Sequence, residues 1–185
     1  MPTATVTAIA AGTYSSDPVH SNVSFTVRHF GAGKFRGGFA EAQATLSVSD
    51  AGELKLAGDV QAASVQVKEP HLAAHLKAPD FFDVERYPEI KFRSTDVTVG
   101  DDGTLEIDGD LTIKATTKRV HASGEITYSP ADPEGNPRVG IELSTTIDRT
   151  EFGVDFAAQL PGGIPVAANE VTLIAELELR KVGQE

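Results

Sequence analysis

Apolar residues recur at every second position through one segment of this chain after another, and that period constrains the fold more than any other feature. Leu105, Ile107, Gly109, Leu111 and Ile113 form one stripe, Val120, Ala122, Gly124, Ile126 and Tyr128 a second, and Val171, Leu173, Ala175, Leu177 and Leu179 a third, with mostly polar residues between. Successive side chains of a strand point to opposite faces, so each stripe is one buried face of a sheet. Eight such segments are read, at residues 21–30, 34–48, 53–67, 89–99, 104–113, 119–128, 138–150 and 170–181. Turn-forming runs separate several of them, including Ser49-Asp50-Ala51-Gly52, Gly100-Asp101-Asp102-Gly103 and the stretch from Ser129 to Pro137. The rhythm is that of an up-and-down meander, and closing it into a barrel removes the exposed edges. Gly or Ala stands at the middle of several stripes, where a packed barrel centre would want bulky branched residues, so the pattern predicts a hollow interior and an apolar guest. In residues 53–67 the apolar parity switches from Leu54, Leu56, Val60 and Ala62 to Val65 and Val67, which predicts a β-bulge near Ala62–Ser64.

At 185 residues the chain fits one all-β domain. A net charge of −11 disfavours nucleic acid and anionic membrane surfaces as partners and favours solubility. With no cysteine there is neither a disulfide framework nor a thiolate nucleophile or metal ligand. Residues 1–12 carry no Lys or Arg ahead of their short apolar run, so they read as a flexible tail rather than a secretory signal, and the expected setting is cytoplasmic.

One segment breaks the period. Between Glu69 and Tyr87 the spacing of Leu72, Ala73 and Leu76 predicts a short helix that Pro79 ends, with Asp80 opening a further turn that carries Phe81 and Phe82. Two adjacent phenylalanines in a connection need an apolar partner, which a barrel core or mouth supplies.

Reactive constellations are sparse. His71 and His75 stand one helical turn apart, close enough to share a metal, but no third ligand falls at telling spacing. Gly31-Ala32-Gly33-Lys34 lacks the upstream glycine and following hydroxyl residue of a phosphate loop and reads as a hairpin turn. No nucleophile elbow of the Gly-x-Ser-x-Gly kind occurs. Asp80, Asp83, Glu85 and Glu89 cluster near the aromatic segment, where paired acids are one route to acid–base chemistry, although an acidic composition explains them more simply. Asp148 and Arg149 interrupt a strand end, placed either to tie loop carbonyls at the barrel bottom or to reach a ligand headgroup.

Several blocks carry a family resemblance. His75-Leu76-Lys77-Ala78-Pro79-Asp80-Phe81-Phe82-Asp83-Val84 followed by Tyr87-Pro88, the run Ile147-Asp148-Arg149-Thr150-Glu151-Phe152-Gly153, the Gly33–Phe39 segment and Asp17-Pro18-Val19-His20-Ser21 together resemble the YceI-like family, over about residues 13–182. The resemblance implies a single eight-stranded antiparallel lipocalin-like barrel with a short helical insertion around residues 69–83. It also implies a polyisoprenoid guest, such as a polyprenyl alcohol, a polyprenyl phosphate or an isoprenoid quinone tail, with no other cofactor, no metal and a homodimeric assembly. Alternation then nominates Phe25, Val27, Leu56, Val60, Phe81, Phe82, Phe92, Leu111, Ala122, Ile126, Leu143, Phe156 and Leu173 as the lining. The competing expectations are an enzyme that works on a hydrophobic isoprenoid through the acids near the mouth, and a barrel whose interior is simply filled.

Overall fold

A computed structural model describes residues 9–183. Eleven strands appear in chain order: β1 (Gly12–Ser16), β2 (Asn22–His29), β3 (Gly33–Phe39), β4 (Ala42–Val48), β5 (Leu54–Gln61), β6 (Val65–Gln66), β7 (Glu89–Val99), β8 (Thr104–Ile113), β9 (Thr116–Ser129), β10 (Arg138–Asp148) and β11 (Ala167–Lys181). One helix, α1 (Pro70–Leu76), lies between β6 and β7. Every neighbouring pair is antiparallel, and β1-β4-β5-β7-β8-β9-β10-β11 closes on itself because the last residues of β11 pair with β1 while its first part pairs with β2. The ring therefore has eight staves, three of them broken. The first is β1 plus β2, the second β3 plus β4, the third β5 plus β6.

The breaks explain where the observed strands depart from the expected ones. Residues 34–48 divide at Ala40–Glu41, and the predicted bulge near Ala62–Ser64 is a single 3-10 turn between β5 and β6. There Ala40 N–H reaches Ser64 O and Ala62 N–H reaches Pro88 O, so the backbone groups that leave the ladder are satisfied locally. β1 lies partly within the expected tail. Residues 1–8 fall outside the described ones, but Ile9 packs on the core and Tyr14, fully buried, donates its hydroxyl to Ala10 O at 2.8 Å. Burial pushes the Tyr14 phenol up to about 12, with Tyr128 adding to the effect.

The two ends of the barrel differ. At one end the interior is solid: Tyr14, Leu46, Leu105, Ile107, Ile126, Val139, Ile141 and Leu179 interdigitate and are almost wholly buried. At the other, Phe25, Val65, Leu76, Phe81, Ile113, Ile147, Phe152 and Val154 form a second cluster beneath α1 and the β10–β11 connection. The tight turns β4–β5 and β7–β8 and the β9–β10 loop sit at the solid end, whereas α1, the β2–β3 and β8–β9 hairpins and the long β10–β11 connection crown the other.

Candidate ligand-binding cavity

Between the two clusters, and open toward the α1 end, lies a cavity of about 340 Å³. That falls at the small end of the roughly 300–1,000 Å³ typical of ligand pockets. Its wall is overwhelmingly apolar, and none of its lining residues is Asp or Glu. On β2 the apolar-parity lining residues run from Val23 through Phe25 and Val27 to His29, six steps of about 3.3 Å on a strand tilted by about 40°, for a depth of about 15 Å. An interior hollow along its whole length would be about 25 Å deep on the same arithmetic for strands of roughly ten residues. The solid end takes the difference.

The structure places Phe25, Val27, Leu56, Val60, Phe81, Phe82, Phe92, Leu111, Ala122, Leu143, Phe156 and Leu173 on the cavity wall. Ile126 is not among them. It shares the stripe of Ala122 but stands two inward positions nearer the solid end, where it is packed to 1 % exposure. The glycines at the centre of the stripes also differ from expectation. A Cβ at Gly109 would fall 2.5 Å from Phe92 Cε2, so Gly109 seats an aromatic ring rather than opening space for a guest. A Cβ at Gly124 would strike the Glu142 carbonyl group, with its carbon at 2.8 Å, so Gly124 lets the β9 and β10 backbones approach. Gly37 seats a second ring in the same way. Phe25 and Gly37 are cross-strand partners, and a Cβ on Gly37 would lie 2.7 Å from Phe25 Cε1, so the ring lies flat against the wall instead of crossing the lumen.

α1 forms where the alternation stops. Glu69 caps it by accepting from His71 N (3.1 Å) and Leu72 N (2.6 Å), Pro70 sits at its first turn, and Leu76 is its buried contact with the core. Asp80 opens no further helical turn; the chain instead continues through reverse turns, and its carboxylate takes His75 Nε2 at 2.7 Å. His75 in turn meets Phe81 and Phe156 edge-on, with ring centroids 4.9 and 5.4 Å away, and those two rings stack at 4.8 Å. Phe156 N–H donates to Asp80 O at 3.2 Å, so the helical insertion and the β10–β11 connection meet over the mouth. Lys114, at φ 54° in the β8–β9 hairpin, pins both: its Nζ donates to Pro79 O at 2.9 Å and to Gly153 O at 2.8 Å.

Arg149 is the buried cation of this rim. Its guanidinium donates to Ala168 O (3.0 Å), Val154 O (2.7 Å), Phe156 O (2.8 Å) and Ala167 O (3.2 Å). The β2–β11 register slips between Ala167 and Val171, and Arg149 satisfies the Ala167 and Ala168 carbonyls there together with those of Val154 and Phe156 in the preceding connection. Desolvation depresses its pKa below the ordinary arginine value, with Asp148 and Asp155 opposing. Arg149 thus ties loop carbonyls as one of the two sequence readings had it, but at the open end of the barrel and not at its bottom. Asp148 does not pair with it; its carboxylate caps the following turn through Thr150 N at 2.9 Å.

The other candidate chemistry lies elsewhere. Asp83 is buried within the turns after α1 and faces Arg86 at 3.6 Å, and Glu89 pairs with Lys91 at 2.7 Å. Asp17, His20 and Glu178 gather on the outer wall, where Arg138 lies 2.9 Å from Glu178 and 3.5 Å from Asp17 and supplies the countercharge. His29, Phe35 and Phe39 line the cavity without having been nominated for it, and so does His75, which the sequence had offered only as a metal ligand. Phe35 and Phe39 share the inward parity of Gly37, and His29 that of Phe25 and Val27, so all three were readable from the alternation; His75 was not, because it stands on α1, where a period of two says nothing.

A closed antiparallel barrel of eight staves, solid at one end and lined with apolar side chains at the other, is the architecture of proteins that enclose an apolar guest. The YceI-like domain matches residues 14–179, and the chain belongs to that family. A UPF0312 protein of Pseudomonas putida strain F1 is 31 % identical over 137 residues, covering 73 % of this chain and 71 % of the relative. One from Vibrio cholerae is 28 % identical over 137 residues, with shares of 73 % and 72 %. Among solved structures, Burkholderia cenocepacia BcnA superposes with a TM-score of 0.72 at 19 % identity, covering 88 % of this chain and 98 % of that one. A polyisoprenoid binding domain from Saccharophagus degradans does so with a TM-score of 0.64 at 13 % identity, over 91 % and 98 %. These two likenesses are of fold.

Proposed function

We propose that this chain holds the apolar tail of a polyisoprenoid, as a polyprenyl alcohol, polyprenyl phosphate or isoprenoid quinone, inside the barrel for sequestration, storage or transport. The observation that carries the reading is the cavity itself: a largely apolar space open at one end, with no Asp or Glu among the described residues of its wall. Each buried methylene contributes about 0.8 kcal/mol, so one five-carbon unit is worth roughly 3–4 kcal/mol before ordering costs, more than any single polar contact at the mouth. Tail burial, and not headgroup chemistry, then sets affinity. The short depth lets the first few units enter and leaves the rest of a long chain at the rim. Membership of a family whose fold is shared by a polyisoprenoid binding domain supports the same reading.

The test is organic extraction of the purified protein with mass spectrometry of the extract, for the natural chain and for Ala122→Trp. Ala122 is buried on the cavity wall, and an indole there occupies the space a tail would use. The reading expects an isoprenoid in the natural chain and a clear loss of it in the variant. Equal lipid in both proteins, or none in the natural one, contradicts it.

A further inference from the structure

The net charge of −11 is unevenly placed. The connections at the solid end carry Asp50 and Glu53, Asp101 and Asp102, and Asp132 and Glu134. At the open end, the chain from Ser21 through Ala40 contains no acid and carries Arg28, Lys34 and Arg36, none of which is in an ion pair among the described residues. Against this hairpin lies a second unusual segment. Phe156 to Asn169 holds no Asp, Glu, Lys or Arg, although Ala157 to Gln159 and Pro161 to Pro165 are exposed; Asp155 and Glu170 border it.

The two segments are joined. Phe30 N–H donates to Val166 O at 3.0 Å, and the space a Cβ would take at Gly31 adjoins Ile164 Cγ2 at 3.3 Å. Phe30, held at φ 53° at the hairpin tip, and Ile164 are each 44 % exposed. A phenylalanine in that backbone region is strained, and it keeps its ring half out in solvent beside that of His29. The patch is continuous with the interior: the Phe30 ring lies 3.8 Å from that of His29, and both His29 and Val166 line the cavity.

From this arrangement we infer that the rim formed by the β2–β3 hairpin and residues 157–166 docks on a lipid bilayer. Phe30 and Ile164 enter the boundary between headgroups and acyl chains, Arg28, Lys34 and Arg36 meet lipid phosphates, and the cavity mouth faces the surface from which a tail is drawn. Aromatic and aliphatic tips beside basic residues are the composition of such interfacial contacts. The acidic far end is repelled by the same surface, which orients the barrel mouth-first. No helix among the described residues is long and apolar enough to cross a membrane, and the contact is peripheral.

The inference rests on the lipid-binding reading, but its test reads the surface contact alone. The chain has no tryptophan, so Phe30→Trp supplies a single reporter at the rim and Val182→Trp, at the solid end and 49 % exposed, supplies the control. With vesicles of phosphatidylcholine and phosphatidylglycerol, the Phe30→Trp emission is expected to shift to the blue and to be quenched by brominated acyl chains, while Val182→Trp does neither. Ile164→Glu in the natural background is expected to lower cosedimentation with the vesicles at least fivefold. A silent Phe30→Trp, an equal response at Val182→Trp, or undiminished cosedimentation of Ile164→Glu overturns the inference. A rim response from protein that yields no isoprenoid on extraction supports the docking surface and removes the ligand reading; extracted isoprenoid with a silent rim does the reverse.

Discussion

Substituting Gly37 by alanine tests how the cavity is kept open. The added Cβ would collide with Phe25 Cζ and lie 2.7 Å from its Cε1, so the ring must withdraw by about 1.5 Å to recover the 3.5–4.0 Å of an ordinary carbon contact. Phe35 and Phe39 flank it, with centroids 6.4 and 5.9 Å away, so the open direction is inward, into the space proposed for the tail. Overpacking of this kind costs about 1–3 kcal/mol of stability. The displaced ring takes the place of about two methylenes of ligand at about 0.8 kcal/mol each, which corresponds to roughly tenfold weaker binding. The assay is displacement of a fluorescent fatty-acid probe by geranylgeraniol, run beside a urea melt that verifies folding. Gly37→Ala alone should weaken binding about tenfold, and Phe25→Leu added to it should restore affinity by giving the volume back. Natural affinity in folded Gly37→Ala, or a folded double variant that stays weak, would refute the reasoning.

Gly124→Ala should be far more harmful than Gly33→Ala, by about 3 kcal/mol or more in a urea melt, because its Cβ meets strand backbone that cannot turn aside whereas nothing stands near Gly33. Arg149→Met should lower stability by about 3 kcal/mol by leaving buried carbonyls of residues 154–168 unpaired, and hydrogen exchange should speed first in that connection. Stability should peak between about pH 4.5 and 6.5. His121 is raised by its hydrogen bonds to Asp108 and Glu106, and His20 by its bond to Asp17, so what they lend is complete below their unfolded pKa and is lost as pH rises through the folded one. Asp17, brought down to about 2 by the hydrogen bond from His20, and Asp132, lowered chiefly by Asn136 N–H, act in the opposite sense, losing their contribution as pH falls below the usual carboxylate range. A urea midpoint that climbs from pH 6 to pH 8 would contradict this, and His121→Gln should flatten the alkaline fall.

The long strands were legible because their alternation is a local consequence of the pleat: β8 buries Leu105, Ile107, Gly109, Leu111 and Ile113 and leaves the residues between them more open. β1 was not, since Tyr14 is its one buried side chain and gives no stripe. Parity reports which face a residue occupies and not how far along the barrel it stands, which is why Ala122 reaches the cavity and Ile126 does not. A glycine in a stripe likewise tells nothing of its cross-strand neighbour, so Gly109 under Phe92 read as vacancy. The helical insertion announced itself through Leu72, Ala73, Leu76 and Pro79, whereas the bonds of Lys114 and Arg149 to distant carbonyls arise where loops from separate parts of the chain meet over the mouth.

Affinity measured across a series of prenyl alcohols of increasing length, from one isoprene unit upward, tests the enclosed tail most directly. Binding should strengthen steeply over the first few units, by no more than the roughly 3–4 kcal/mol that each can contribute, and then level off as further units find no wall to bury against. Affinity indifferent to length from the first unit would mean that the interior of the barrel is not where the ligand lies.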